Sequence, residues 1–482
     1  MKERSIKVNS ILNVIKTIST IVFPLITFPY ISRVLLPDNV GKVNFGSTYI
    51  NYFTMIATLG ISTYAIRECS EVREDNFKLS NKSSEIYSIN ICTTIFSYIL
   101  LFLSLLVFKN LEKYRVLIVI QSTTIVFATL GADWLNSAME DFGYITIRTI
   151  FFQVFSLILM FLFVKQPEDY LKYASISVFS SSGANIINIF YRKKYCHMRF
   201  TKDMKWRIHL KPIMFLFVML LAQTIFTSAD VTMLGIIKGD FDVGIYSTAH
   251  KIQNLVAQVS SSLAWVFIPR LSLLFSEGDY IKINNMLKKA LGLLMIIGIP
   301  SIAGVCALAT DIVTIIGGKA FATADIPLII LMIAFGFSLV GGNFLGNMIL
   351  LPSKNEKTYM IVCCVTAIVN VTLNYLLIPF GGAIAASFTT AISAFLIFIL
   401  LFIKKDKRIS MDYLFKASIS PLIGGALILL YCKLINPFFD TIYIRVIVSI
   451  IGSIFIYGLV LIMMKNELCL EVLGSIKNES RS

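Results

Sequence analysis

Apolar residues in this chain neither alternate nor gather on one side of a helical period. They run on, in stretches of roughly twenty, broken by short polar segments. Fourteen such stretches occur, at 11–33, 43–65, 86–108, 115–135, 145–164, 173–191, 212–236, 244–268, 290–316, 326–351, 359–378, 381–403, 415–435 and 443–464. About 20 apolar residues of helix cross the roughly 30 Å hydrocarbon core of a bilayer, so each stretch predicts a transmembrane helix. The narrowest separation is Pro379-Phe380-Gly381-Gly382, read as a tight turn between spans eleven and twelve. The first residues, MKERSIKVNSILNVIK, are basic, but no small-residue cleavage site follows their apolar run. They are expected to stay as a first helix rather than leave as a signal peptide.

Composition sharpens this into a class. The 482 residues are 56% hydrophobic and 15% charged, against about 25% charged in soluble domains. The expected fold is an all-α integral membrane protein of about fourteen transmembrane helices. The net charge of +15 resembles a nucleic-acid binder until the charges are placed. With both termini cytoplasmic, inside segments hold 29 Lys and Arg and outside segments hold ten. The positive-inside rule orients the chain that way, the basicity is mostly topology, and no nucleic-acid partner is expected. The eight cysteines include no CxxC and no pair in an outside loop, so neither a disulfide framework nor a zinc site is expected.

The longest interruption, RKKYCHMRFTKDMKWRIHLK at 192–211, separates six spans from six. It reads as a cytoplasmic linker, either a plain basic loop or a segment lying on anionic lipid. The two halves repeat. VGKVNFGSTYINYF from Val40 matches VGIYSTAHKIQNLV from Val243 at an offset of 203, and Arg67 matches Arg270 at the same offset. The expected organisation is a six-helix lobe at 1–191, the linker, a second six-helix lobe at 212–403, and two further helices with a tail at 404–482. Parallel repeats with a site at their interface are a transporter design.

Few charges remain in the spans, and each needs a wet cavity or an ion pair. They are Lys16, Arg148, Lys251 and Asp230, with His250 beside them and Arg445 at the start of span fourteen. Lys16 could also snorkel to the cytoplasmic surface. Ser247, Lys251, Asn254 and Gln258 recur at i, i+4, i+7 and i+11, a polar stripe on one face of span eight. It reads as a cavity wall or as a helix–helix seam. Asp230 is expected to couple transport to an ion or to partner a cation. Pro24 and Pro29 are expected to bend span one. Between spans four and five, GADWLNSAMEDFGYITIR carries Asp133, Glu140 and Asp141 ahead of Arg148. The acids could form an inside gate with Arg67 or Arg270, or Asp133 and Arg148 could staple the hairpin. GDFDVG at 239–244 holds an Asp-x-Asp pair, but it reads as a solvated outside turn.

Seven stretches, in order, carry a resemblance. They are FPYISRVLLPDNVGKVNF from Phe28, LGISTYAIRE from Leu59, GADWLNSAMEDF from Gly131, ADVTMLG from Ala229, VGIYSTAHKI from Val243, IPRLS from Ile268 and NVTLNYLLIPFGGAIAAS from Asn370. No one motif is specific; the ordered set is. The chain resembles the polysaccharide-unit flippases, the O-antigen and capsule repeat-unit translocases of the multidrug/oligosaccharidyl-lipid/polysaccharide exporter superfamily. It departs at Asn136-Ser137, where many relatives carry an aromatic and an amide. Fourteen spans rather than twelve is similar to the lipid II flippase branch.

The resemblance implies two six-helix lobes around a central cavity open alternately to each side. It implies an undecaprenyl-diphosphate oligosaccharide as cargo, moved to the periplasmic leaflet of a bacterial inner membrane. Lys16, Arg148 and Lys251 would meet the diphosphate, and the amides of span eight the sugars. The prenyl tail would stay among membrane lipids, with spans thirteen and fourteen as a groove for it. No cofactor is implied beyond H⁺ or Na⁺ coupling, and a polysaccharide polymerase and chain-length proteins would be partners. A multidrug exporter of the same fold would want intramembrane acids, the reverse of the balance here. A membrane polymerase or ligase would want a sizeable outside loop, which is missing.

Overall fold

The computed structural model describes residues 6–466 and 468–470, apart from 407 and 411. Among these residues there are helices and turns and no strand. The helices are α1 (Ile6–Thr58), α2 (Ile61–Glu71), α3 (Asn76–Val107), α4 (Arg115–Gly131), α5 (Trp134–Ala138), α6 (Phe142–Phe163), α7 (Tyr170–Tyr191) and α8 (Trp206–Ile237). They continue as α9 (Asp240–Glu277), α10 (Tyr280–Ala307), α11 (Ala309–Gly317), α12 (Asp325–Ser338), α13 (Glu356–Lys404), α14 (Asp412–Ile435) and α15 (Ile442–Met463). α12 runs on as a π-helix over Leu339–Leu350.

Nine described helical runs are long and apolar enough to cross a bilayer, or ten with the two parts of α9, which bend by 45° around Ser262–Val266. Two of the nine are double. α1 is broken at Leu36 (φ 64, ψ 168) and α13 at Gly382 (φ 50, ψ −130), so each carries two predicted spans. α7 and α8 occupy spans six and seven, and the set is consistent with fourteen. This is a multi-pass membrane protein.

The first break, at Leu36, falls in the interval 34–42 between the first two predicted spans, while Pro24 and Pro29 lie within helical backbone. Leu36 precedes Pro37, whose ring disfavours the α conformation one residue upstream. The separation at 379–382 is not a four-residue turn. It is one glycine, whose missing Cβ makes a positive φ accessible.

The chain packs as two compact units, Met1–Gly244 and Ile245–Ser482. The packing boundary thus falls after α8, beyond the 192–211 linker. In the first unit α1 lies against α3, α4, α6 and α8, and α7 covers α4 and α6. In the second, α14 packs on α10 and α15, while α12 and its π extension pack on α13. Tyr457 of α15 donates to the Ile296 carbonyl of α10 at 2.8 Å, tying the last two helices to that unit. The burial pattern is that of a protein solvated by lipid. Phe102, Leu106, Ile451 and Phe455 are exposed, while Ser88, Ser97, Asn374 and Ser393 are buried. So much exposed apolar surface would aggregate in water and is at home in hydrocarbon.

Candidate functional site

The 131–148 stretch folds as a corner rather than a loop. α4 stops because Ala132 turns left-handed (φ 48), five residues of α5 follow, and Glu140 turns left-handed again (φ 55). Asp141 then caps α6 by accepting from the Tyr144 N–H at 3.4 Å. Arg148 is buried and pairs with Asp133, reaches the Ala184 carbonyl at 3.3 Å and lies 5.1 Å over the Tyr144 ring. Asn136 donates to Asp133 at 3.2 Å and to Asn188 at 2.6 Å, and Asn188 returns a bond to the Gly131 carbonyl at 2.8 Å. Asp141 also accepts from the hydroxyls of Tyr191 at 2.7 Å and Tyr195 at 2.5 Å. Burial, then the hydrogen bond to Asp141, pushes the Tyr195 hydroxyl pKa up. Glu140 pairs with Arg73 at 2.7 Å. The charges of this stretch therefore fasten the α4–α6 corner to α7 and to the turn after α2. Arg67 pairs with its neighbour Glu68 at 3.3 Å, and Arg270 lies exposed on α9.

The linker is fastened too. Its backbone donates to α3 side chains, Arg199 N–H to Ser84 at 3.1 Å and Thr201 N–H to Ser88 at 2.8 Å. Arg192 lies 4.6 Å over Tyr87. Glu85 sits between Lys205 at 2.5 Å and buried His209 at 3.0 Å, and the other ring nitrogen of His209 meets the Tyr64 hydroxyl at 2.7 Å. The hydrogen bond to Glu85 raises the Lys205 ammonium pKa. Lys193, Lys194, Lys202 and Arg207 remain exposed beside Phe200 and Trp206.

The polar face of span eight lies on α9. Lys251 is half-buried, and Asn254 and Gln258 are exposed. His250 stacks on Tyr246, centroids 5.7 Å apart, and approaches the Asn254 amide at 3.3 Å. The Tyr246 hydroxyl is 3.4 Å from that of Thr390. Beyond Gln258 the face continues into Ser261, which donates to Asn343 of the π-helix at 3.4 Å. Asp230, on α8 in the first unit, is buried two residues before Thr232, whose hydroxyl is 3.0 Å from that of Tyr52. The Lys16 side chain lies outside the described residues.

The structure thus joins Arg148 to Asp133 and His250 to Asn254, and gives Glu140 and Asp141 partners on neighbouring elements. GDFDVG needs correcting. Asp240 is not a solvated turn residue; Tyr114 donates to it, Lys113 is 3.1 Å away, and its side chain is 9% exposed. The N-terminal end of α9 is thereby pinned to the residues just before α4. Glu85 and His209 resemble a span edge and a loop residue in the sequence, and nothing local pairs them. Arg445 finds its partner in Asp311, 2.8 Å from the guanidinium. GGNFLGN at 341–347 places two amides in an apolar span, a signal legible in the sequence.

A family model described as polysaccharide biosynthesis protein matches residues 6–275, and one described as MatE matches 216–376. A protein of Escherichia coli (strain K12) named for O-antigen transport is 23% identical over 398 residues, 81% of this chain and 94% of its own. The capsular polysaccharide biosynthesis protein CapF of Staphylococcus aureus is 24% identical over 377 residues, 76% of this chain and 90% of its own. Lipid II flippase MurJ in an inward closed conformation superposes with a TM-score of 0.75 at 17% identity, covering 95% of this chain and 99% of that one. An inward-facing multidrug resistance MATE family transporter of the MOP superfamily follows at 0.60 and 12%, covering 82% and 94%. At such identities the two solved structures establish the fold alone.

Proposed function

Because the chain belongs to the polysaccharide biosynthesis protein family, we propose that it is a flippase for undecaprenyl-diphosphate-linked oligosaccharide repeat units. It moves them by alternating access from the cytoplasmic to the periplasmic leaflet of a bacterial inner membrane, for O-antigen or capsule, with both its termini cytoplasmic. The observation that carries the reading is the α9 face, where a half-buried lysine is followed by two exposed amides within a predicted span.

The cargo has three parts with three solvents. Its prenyl tail can stay in hydrocarbon throughout. Its diphosphate and sugars cannot, because moving charge and unpaired hydroxyls into a low-dielectric core costs several kcal/mol per group. Lys251 offers the diphosphate a cation where the dielectric is low and the attraction strong. Asn254, Gln258 and His250 offer the sugars donors and acceptors in place of water. Arg148, occupied by Asp133, acts in this scheme by holding the α4–α6 corner, and Asp133, Glu140 and Asp141 do the same. Lys16 is a second candidate for the diphosphate. Nothing in the scheme requires covalent chemistry. Energy comes from an H⁺ or Na⁺ gradient, and a polymerase and chain-length proteins take up the product.

The MatE match over 216–376 favours a second reading, a cation-coupled multidrug exporter. Cationic cargo would want carboxylates where the α9 face has Lys251. One assay separates the two. Purified protein in proteoliposomes is given either lipid-linked repeat units or a cationic dye under an imposed ion gradient. Flipping of the glycolipid without dye efflux supports the flippase; the reverse result overturns it.

A further inference from the structure

In the second unit the tenth span changes its winding. α12 is an ordinary α-helix to Ser338, but Leu339–Leu350 is π-helical over 12 residues. Bonds of the i→i+5 type continue past its end, from the Leu351 N–H to the Gly346 carbonyl at 3.0 Å and from the Asn355 N–H to the Leu350 carbonyl at 2.9 Å. π-Helical turns are rare, are mostly single and cluster at functional sites, so a run of this length calls for a cause.

The glycines of this run differ in what they face. A Cβ on Gly341 would lie 2.9 Å from Phe398 Cα, and one on Gly346 would lie 2.7 Å from the Tyr359 ring. Those two glycines let the segment press against both halves of α13. A Cβ on Gly342 would meet nothing within 4 Å. A helix–helix seam would fill that space. Next to it, Asn343 and Asn347 are half-exposed, with the Asn347 amide 3.5 Å from the Asn343 oxygen. Asn343 also accepts from Ser261 of α9 at 3.4 Å, which joins the run to the face carrying Asn254 and Gln258.

We propose that Gly342, Asn343 and Asn347 form a sugar-binding subsite, continuous with the amide face of α9, that takes the hydroxyls of the glycan beyond its first residue. The proposal deepens the flippase reading and rests on it. Every sugar hydroxyl both donates and accepts, and a primary amide offers two donors and an acceptor oxygen. The contacts that Asn343 makes are at the long limit of a hydrogen bond, so they exchange readily for contacts to cargo. The 2.6 Å bond between Asn136 of α5 and Asn188 of α7 is of the opposite, structural kind. Gly342, with no side chain, lets a pyranose ring lie close to the backbone.

The test uses the full-length protein in proteoliposomes with two probes. One is the lipid-linked repeat unit extracted from source cells lacking the protein; the other is the same material trimmed by glycosidase to its first sugar. The variants are Asn343→Leu, Asn343→Gln and Gly342→Leu. Leucine is a better helix former than glycine and its Cβ enters open space, so Gly342→Leu should reach normal abundance. Asn343→Leu and Gly342→Leu are each expected to slow flipping of the whole unit about tenfold. Asn343→Gln should keep most of it, and all three should flip the trimmed probe within about twofold of wild type. Wild-type rates on the whole unit in both leucine variants would overturn the subsite and leave the flippase reading standing. Equal losses on both probes would also overturn it, because the residues would then serve a step common to both cargoes. Failure of the wild-type protein to flip either probe would remove the flippase reading, and the subsite with it.

Discussion

Arg148 and Asp133 form an ion pair in which the two partners are unequally placed. The arginine side chain is 5% exposed and the aspartate 40%. Removing the aspartate strands a charge in the protein, whereas removing the arginine leaves a carboxylate that water can reach. Asp133→Ala should therefore destabilise by about 3 kcal/mol and Arg148→Met by about 1 kcal/mol. Apparent melting temperatures in detergent check this, and equal losses would show that the asymmetry of exposure is irrelevant.

Lys251 lies on the amide face of α9. Lys251→Ala should abolish flipping at normal membrane abundance, and Lys251→Arg should keep part of it, since the charge matters more than the shape at low dielectric. Wild-type rates for Lys251→Ala in the proteoliposome assay would remove Lys251 from the cargo path.

Asp230 is 3% exposed within the first unit. As the partner of a cation, its loss leaves that cation buried and costs several kcal/mol, so Asp230→Asn should lower abundance. As a proton site, Asp230→Asn would instead reach normal abundance with transport that no longer responds to a pH gradient. We expect the first outcome. Abundance by immunoblot together with rates at two imposed gradients separates them, and unchanged gradient-driven transport would exclude both.

Glu85 holds the linker through Lys205 and His209. Glu85→Gln should free it, so that trypsin cuts at Arg199, Lys202 or Arg207 several-fold faster than in wild type. The pH dependence follows from Lys205, whose pKa is raised by Glu85. A raised folded-state pKa means that the contribution is complete below the ordinary lysine value of about 10.4 and is lost only as pH climbs through the raised value. Loosening of the linker between pH 7 and 9 would contradict this assignment.

Topology has a simple check on a Cys-free background. A cysteine at exposed Lys202 should react with an impermeant maleimide only after permeabilisation, and one at exposed Lys238 should react in intact cells. Lys238 suits the outside position better than Asp240, which Tyr114 and Lys113 cover. The opposite pattern would invert the protein in the membrane.

The sequence by itself determined the solvent and the class, and it placed spans with which the helices are consistent, because each span is a local property. Twenty apolar residues must satisfy their own backbone in lipid, and a helix does so without distant help. The ordered motifs also placed the chain in its family. Partners were another matter. Glu85 and His209 are 124 positions apart, and Arg445 and Asp311 are 134. A polar residue inside a membrane protein announces that it needs a partner without saying which. The acids of 131–148 looked equally suited to a gate or a staple, and only the placement of Arg148, Arg73, Tyr191 and Tyr195 gave them staple contacts within the first unit. The break at Leu36 and the π-helix at 339–350 were likewise decided in three dimensions. Proline and glycine permit a departure from helical geometry at many positions, and the packing of neighbouring helices selects the one that is used.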